Sequence, residues 1–180
     1  MNHDAAVTEQ ARFKEASTNP LKLAAVRALV GRHPDDSILI IGTYLDQLQE
    51  LSRAFRAPLI TGKTPHQRRV ELFRQFRAGE ISLLVVSKVA NFSIDLPDAN
   101  VAIQVSGTFG SRQEEAQRLG RILRPKSDGS AAYFYSVVTL GSRDQEFAEK
   151  RQLFLTEQGY TYEIVEAAGL GASVEPGVSG

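Results

Sequence analysis

Gln117-Arg118-Leu119-Gly120-Arg121-Ile122-Leu123-Arg124-Pro125 is the stretch of this chain best suited to chemistry. On a helix, at about 100° per residue, Gln117, Arg121 and Arg124 share one face. Ala116, Leu119 and Leu123 share the opposite one, where a core would take them. Gly120 leaves the arginine face without bulk, although Gly costs about 1 kcal/mol relative to Ala in a helix. Arg118 has Glu114 and Glu115 at the helical spacing for ion pairs, whereas Arg121 and Arg124 have no local acid. The pattern suits two guanidiniums aimed at an anion that must come close. Spacing alone leaves a phosphate site and a solvated basic face equally open.

Two further stretches are candidates. Ser87 to Pro97 is a long polar stretch directly after an apolar strand, a usual place for binding residues. Ser87 and Lys88 could hold a phosphate there. Asp95 could accept hydrogen bonds from a ribose or could cap a turn beside Pro97. Thr61 to Gly79 carries Lys63, Arg68, Arg69, Arg74 and Arg77 against Glu71. That local positive excess suits an anionic partner, although an ordinary solvated helix is the more frequent explanation of such a run. Gly62-Lys63-Thr64 resembles the end of a phosphate-cradling loop. The full pattern needs a Gly where Ala57 stands, so a true P-loop is not expected. The three histidines, His3, His33 and His66, are scattered and suggest no metal site.

The elements that must position these residues follow from the apolar pattern. Continuous apolar runs suit strands buried on both faces of a parallel sheet. Strands are expected at 37–41, 58–60, 81–86, 101–105, 131–138 and 160–165. Helices are expected between them at 20–32, 44–55, 65–77, 112–123 and 143–158, with Leu45, Leu48, Leu51 and Phe55 on the apolar face of the second. Val70, Phe73 and Phe76 are expected inward in the third. Alternating strands and helices imply βαβ units, hence an α/β domain of three layers with a mostly parallel central sheet. Ligands of such sheets collect at the carboxyl ends of the strands. The loops starting near Thr43, Thr61, Ser87, Ser106 and Thr139 are therefore the places to look.

Bulk composition bounds the class. The chain has 180 residues, 42% hydrophobic and 23% charged, with Lys+Arg and Asp+Glu both 21. A neutral balance argues against a simple basic-patch binder but leaves room for a local basic surface. With no cysteine, disulfides and thiolate metal sites are excluded. No apolar run nears the roughly 20 residues of a membrane span, and the first residues lack a signal-peptide pattern. A cytoplasmic protein is the default expectation. Residues 1–18 read as a polar extension, 19–166 as the folded lobe, and 167–180 as a disordered tail.

In order along the chain, these segments resemble the second RecA-like lobe of superfamily 2 helicases. Ile38 to Thr43 is similar to the strand and loop of motif IV. Thr61 to Arg69, with Phe76 to Gly79 after it, is similar to motif IVa. Ser87 to Pro97 resembles motif V, and Gln117 to Arg124 resembles motif VI. Within the superfamily, Ser87-Lys88-Val89, Ser93 to Pro97, and Gly110 to Lys126 resemble the XPB-type (xeroderma pigmentosum group B) DNA repair helicases, of bacterial kind. One departure is Ala90-Asn91-Phe92, where the family often has Gly-Asp-Thr. The carboxylate is lost, and no role for it carries over.

The resemblance implies a set of roles. Arg121 and Arg124 match arginine fingers that reach the γ-phosphate of ATP, and Gln117 matches a residue that orders phosphate and water. Asp95 matches a ribose contact. Thr43, Gly62, Arg69, Ser87 and Lys88 match positions that track the DNA backbone. ATP and Mg²⁺ would be held mainly by an N-terminal RecA-like lobe. DNA, that lobe, and a nuclease or repair protein are the implied partners, with no membrane. The implied activity is 3′-to-5′ DNA movement driven by ATP hydrolysis, absent from this lobe alone. A duplex translocase lobe and a non-catalytic DNA- or partner-binding module are the alternatives.

Overall fold

The computed structural model describes residues 18–87, 99–106, 123, 132–139, 148–149 and 161–167. Chain order is α1 (Leu21–Arg32), β1 (Ile38–Gly42), α2 (Leu45–Phe55), β2 (Leu59–Ile60), α3 (His66–Arg77), β3 (Leu83–Ser87), β4 (Val101–Gln104), β5 (Tyr133–Val138) and β6 (Thr161–Glu166). The strands form one sheet in the order β2-β3-β1-β4-β5-β6. Each neighbouring pair of strands is parallel. The α/β fold with a parallel central sheet is thus the one expected, with ends shifted by a residue or two.

Topology follows from handedness. The chain leaves β1 through α2 to the edge strand β2, then returns through α3 to β3. Parallel crossovers are right-handed, so a reversal of direction puts α2 and α3 on opposite faces. The core divides accordingly. Leu72, Phe73 and Phe76 of α3 pack with Leu39, Ile41, Leu84, Val86 and Phe134. Val26 and Leu29 of α1 and Leu48 and Leu51 of α2 pack with Ile38, Ile40, Val85, Ile103 and Tyr135. Alternate residues of each strand go to alternate faces, as the pleat requires. Strands buried on both sides explain why their sequences are apolar without alternation.

Two side chains depart from the expected faces. Val70 is 52% exposed and Leu45 is 43% exposed. Each lies about 110° from the centre of its helix's buried stripe, so apolar character alone misplaced them. The stripe of α3 is centred instead on Leu72, Phe73 and Phe76, and Arg69 falls near its centre. In α1 the stripe is Lys22, Val26 and Leu29. Both inward stripes therefore begin with a basic residue at the end of the helix nearest the carboxyl edge of the sheet.

The amino end of the sheet is braced differently. His33, just past α1, contacts Asp36 Oδ2 through Nδ1 (2.8 Å) and the Tyr135 hydroxyl through Nε2 (2.6 Å). Tyr133 and Tyr135 stack at 6.2 Å between centroids, beside that imidazole. Burial, with the Glu163 carboxylate nearby, pushes the Tyr135 phenol up to about 12. Gly79, after α3, has φ +77, the left-handed conformation favoured by glycine just past a helix end.

Candidate nucleic-acid interface

The carboxyl edge of the sheet is assembled by register. Ile60 pairs with Val86, Gly42 with Ser87, and Ile41 with Gln104. Thr61, Ser87, Gly42 and Val105 therefore stand at one level across β2, β3, β1 and β4. With strands about 4.8 Å apart, the β2, β3 and β1 ends span about 10 Å. Because β4 lies on the far side of β1 from β3, the chain reverses its winding there. Such a switch point opens a crevice beyond the strand ends, the preferred ligand position in open α/β sheets.

Thr43, Gly62, Arg69 and Ser87 are all brought to this edge. Thr43 is half-buried, and its N–H donates to Ser106 Oγ at 3.0 Å. Its backbone donor is thus spent on the fold, leaving the side chain for a ligand. Ser87 is 4% exposed at the end of β3, so it sets the starting point of the following stretch more than it presents its own hydroxyl. Gly42 lets the edge close up. A Cβ there would meet Leu48 Cδ2 at 2.8 Å, Ser106 Oγ at 2.9 Å and Val105 Cγ2 at 3.0 Å.

The turn after β2 is tied by its own threonines. Thr61 N–H donates to Thr64 Oγ1 (2.9 Å), Lys63 N–H to Thr61 Oγ1 (3.1 Å), and Thr64 N–H to the Thr61 carbonyl (3.1 Å). Those amides are not free to cradle a phosphate, which agrees with the absence of a P-loop pattern. Gly62 and Lys63 sit exposed at the tip. Arg69 Nη2 reaches back to the Thr61 carbonyl at 3.4 Å, while Arg69 Nε is buried without a hydrogen-bond partner. A core stripe would take an apolar residue here. Holding a guanidinium on it is costly.

The basic run separates into two groups. Lys63, Arg68 and Arg69 lie at the β2–α3 turn and the start of α3. Arg74 lies more than a turn away and is neutralised. It binds Glu71 through Nε (3.0 Å) and Nη2 (2.7 Å), and Glu80 through Nη2 (3.2 Å). The Arg74 hydrogen bond holds the Glu71 carboxyl below its usual range, and both acids hold Arg74 in its charged form. Arg74 is thus removed from the positive excess, which keeps Lys63, Arg68 and Arg69 near the carboxyl edge and Arg77 at the far end of α3.

Lys88, Asp95, Gln117, Arg121 and Arg124 lie outside the described residues. Leu123 is described: it is 4% exposed, in the α3-side core, and bridged in parallel to Ala99. The core placement is the one expected. The helical state expected through Leu123 is not, since a β-bridge with Ala99 replaces it at that residue. The helical wheel that grouped Arg124 with Arg121 thus does not extend to Leu123.

One buried polar residue at this edge escaped the sequence reading, Lys22, which is 2% exposed; Ser106, at the start of a loop singled out in the sequence, is also 2% exposed. Lys22 Nζ donates to the Val105 carbonyl at 2.7 Å. Its signal was available: Lys22 stands with Val26 and Leu29 at i, i+4 and i+7, a core spacing.

Among the described residues, no three of His, Asp or Glu come together as a metal site. Gln117, Arg121 and Arg124 suit the oxygens of a nucleotide by charge and hydrogen-bonding capacity.

This architecture is that of a helicase-type RecA-like lobe. The C-terminal domain of the DEAD-box protein Dbp5 superposes with a TM-score of 0.64 at 18% identity, over 81% of this chain and 83% of that one. The Escherichia coli DEAD-box protein SrmB gives 0.61 at 19% identity, over 80% and 82%. The particular family follows from the sequence. Residues 3–175 match the ERCC3/RAD25/XPB C-terminal helicase family, and the chain belongs to it. It is 60% identical over 159 residues to the DNA 3′-5′ helicase XPB of Mycobacterium tuberculosis, covering 88% of this chain and 29% of that protein. It is 53% identical over 170 residues to the protein of the same name from Kineococcus radiotolerans, covering 94% and 30%. The chain thus spans just under a third of the length of these relatives. The resemblance carried by the motif segments is the correct one.

Proposed function

We propose that this chain is the second RecA-like lobe of an ATP-dependent 3′-to-5′ DNA helicase of the repair type. The observation that carries the reading is the edge at which Thr61 and Ser87 stand level with Gly42, followed at once by Thr43, with the Arg69 guanidinium turned inward beside it. Three adjacent strand ends and an underused cation suit a polyanion that passes along the edge. Contacts of that kind bind the backbone, need no base readout, and weaken with salt.

In this reading Thr43, Gly62, Arg69, Ser87 and Lys88 follow the DNA backbone. Asp95 accepts from a ribose hydroxyl. Gln117 orders the attacking water, and Arg121 and Arg124 neutralise charge that develops on the transferred phosphoryl group. Arginines in that role contribute about 10³–10⁵ in rate. Bound with Mg²⁺ by the N-terminal lobe, ATP supplies the bond that is broken. Closing of the two lobes brings the arginines in, and reopening resets the grip on DNA. Family membership at high identity supports the reading.

The test joins this lobe to a nucleotide-holding RecA-like lobe of the same family. The joined protein should hydrolyse ATP in response to DNA and displace strands 3′ to 5′, while the 180-residue chain alone should not turn over ATP. Turnover by the chain alone contradicts the proposal. Hydrolysis and translocation without strand displacement would favour a duplex translocase.

A further inference from the structure

The ladder between β1 and β4 ends on a side chain. The two strands are parallel with Ile41 opposite Gln104, so the next pair is Gly42 and Val105. In a parallel ladder one residue bonds to two on the neighbouring strand, one before its partner and one after. Val105 makes the first of these bonds, from its N–H to the Ile41 carbonyl at 2.9 Å. The second would run from the Thr43 N–H to the Val105 carbonyl. Instead the Thr43 N–H donates to Ser106 Oγ at 3.0 Å, and the Val105 carbonyl accepts from Lys22 Nζ at 2.7 Å. A serine hydroxyl thus stands in for a backbone oxygen at the last rung.

The surroundings are built for this exchange. Ser106 is 2% exposed, so its hydroxyl serves the fold and does not face solvent. Gly42 leaves the room that the hydroxyl takes: a Cβ there would stand 2.9 Å from Ser106 Oγ. The exchange also changes what sets the place of Thr43. A ladder bond would hold its peptide at the strand spacing of about 4.8 Å. A hydroxyl extends from its own Cβ and need not lie on that grid. Thr43 therefore takes its place from the Ser106 side chain, at the point where β1 and β4 part and the crevice of the carboxyl edge begins. Its amide is used up in the process, and its own half-buried side chain is left for a ligand.

We infer that Ser106 is a positioning residue for the DNA contact at Thr43. Its hydroxyl anchors the Thr43 peptide one rung beyond the backbone ladder and so aims the Thr43 side chain at the carboxyl edge. Ser106 touches no DNA in this role. The inference rests on the helicase reading above and deepens it, by naming the group that holds one of its backbone contacts in place.

The experiment measures the affinity of the joined two-lobe protein for a labelled single-stranded oligonucleotide at several salt concentrations. Ser106→Ala removes the acceptor of the Thr43 amide. Binding should weaken about three- to tenfold, the equivalent of one neutral hydrogen bond. The contact that Ser106 serves is a hydroxyl and not a cation, so the loss should be the same at every salt concentration. A general loosening of the edge would displace Arg69 too and lower the salt slope, and that result overturns the inference. In a Thr43→Val background, Ser106→Ala should change affinity by less than about twofold, because the side chain it positions is already altered. Additive losses overturn the inference as well. Ser106→Cys keeps a similar size but offers the amide only a weak acceptor. It decides the matter if Ser106→Ala does not fold, and a folded Ser106→Cys protein with parental affinity overturns the inference. Thr43→Val alone separates the two possible failures. If it leaves affinity intact, the assignment of Thr43 to DNA in the helicase reading fails; if it weakens binding while Ser106→Ala does not, only the role of Ser106 fails.

Discussion

Arg69→Met is the substitution whose consequences for stability and binding should have opposite sign. The guanidinium lies on the inward stripe of α3, with Nε buried and unpartnered and Nη2 held by a long 3.4 Å contact to the Thr61 carbonyl. Leaving a buried donor unsatisfied costs about 1–3 kcal/mol, and a contact of that length returns less than about 1 kcal/mol. Met has similar helix propensity and an unbranched stem. The variant should therefore be as stable as the parent or more stable by up to about 2 kcal/mol. For a chain of this size that is a rise of up to about 6 °C in melting temperature. Binding should change the other way. Losing one phosphate contact should lower the slope of log affinity against log salt by about 0.7 for single-stranded DNA. Thermal unfolding measures the first effect, and fluorescence anisotropy of a labelled oligonucleotide at several salt concentrations measures the second. A stability loss above about 2 kcal/mol with an unchanged salt slope would refute the reasoning. It would make Arg69 a structural tie for the Thr61 turn.

Two other perturbations test the frame that carries the edge. Gly42→Ala drives a methyl into Leu48, Ser106 and Val105, with contacts of 2.8–3.0 Å. It should lower the denaturation midpoint by the equivalent of about 1–3 kcal/mol, and an unchanged midpoint would show that those neighbours yield freely. Tyr135, with its phenol raised from 10.0 to about 12, favours the neutral form in the folded state. Its contribution to stability is complete below the unfolded value and is lost as pH rises from about 10 through about 12, a loss on the order of 2 kcal/mol. Tyr135→Phe should remove that part of the alkaline decline. Tyrosinate absorbance that develops fully near pH 10 in the folded protein would contradict the burial argument.

The sheet was legible because strands buried on both faces must be apolar throughout. Ile38-Leu39-Ile40-Ile41 and Leu83-Leu84-Val85-Val86 admit few other readings in a chain that alternates with amphipathic helices. Family motifs added the carboxyl-edge residues, and Thr43, Gly62, Arg69 and Ser87 do converge there. Helix faces were read less well: in α3 the inward set expected from the sequence includes Val70 and leaves out Leu72, which packs into the core. Val70 and Leu45 point away from their cores, while Arg69 and Lys22 occupy the places an apolar residue would fill. Those two basic residues break the local pattern at the proposed DNA-contact edge, and departures from sequence rules are expected at functional sites. Leu123 shows a different limit. Its bridge to Ala99 is a tertiary contact, and a helical wheel drawn through Gln117 to Arg124 carries no information about it. Arg74 needed tertiary structure as well, since Glu80 approaches it from beyond the end of α3.

The central claim is that Arg121 meets a phosphate this lobe does not hold by itself. Arg121→Ala, placed in the joined two-lobe protein, tests it most directly when compared with Arg118→Ala, whose arginine has Glu114 and Glu115 at helical spacing. DNA-stimulated ATP hydrolysis should fall by about 10³-fold or more in the first and remain measurable in the second. The Arg121→Ala lobe should keep the melting temperature of the parent. Retained hydrolysis, or a large loss of stability in Arg121→Ala, would contradict the account and make that residue part of the scaffold.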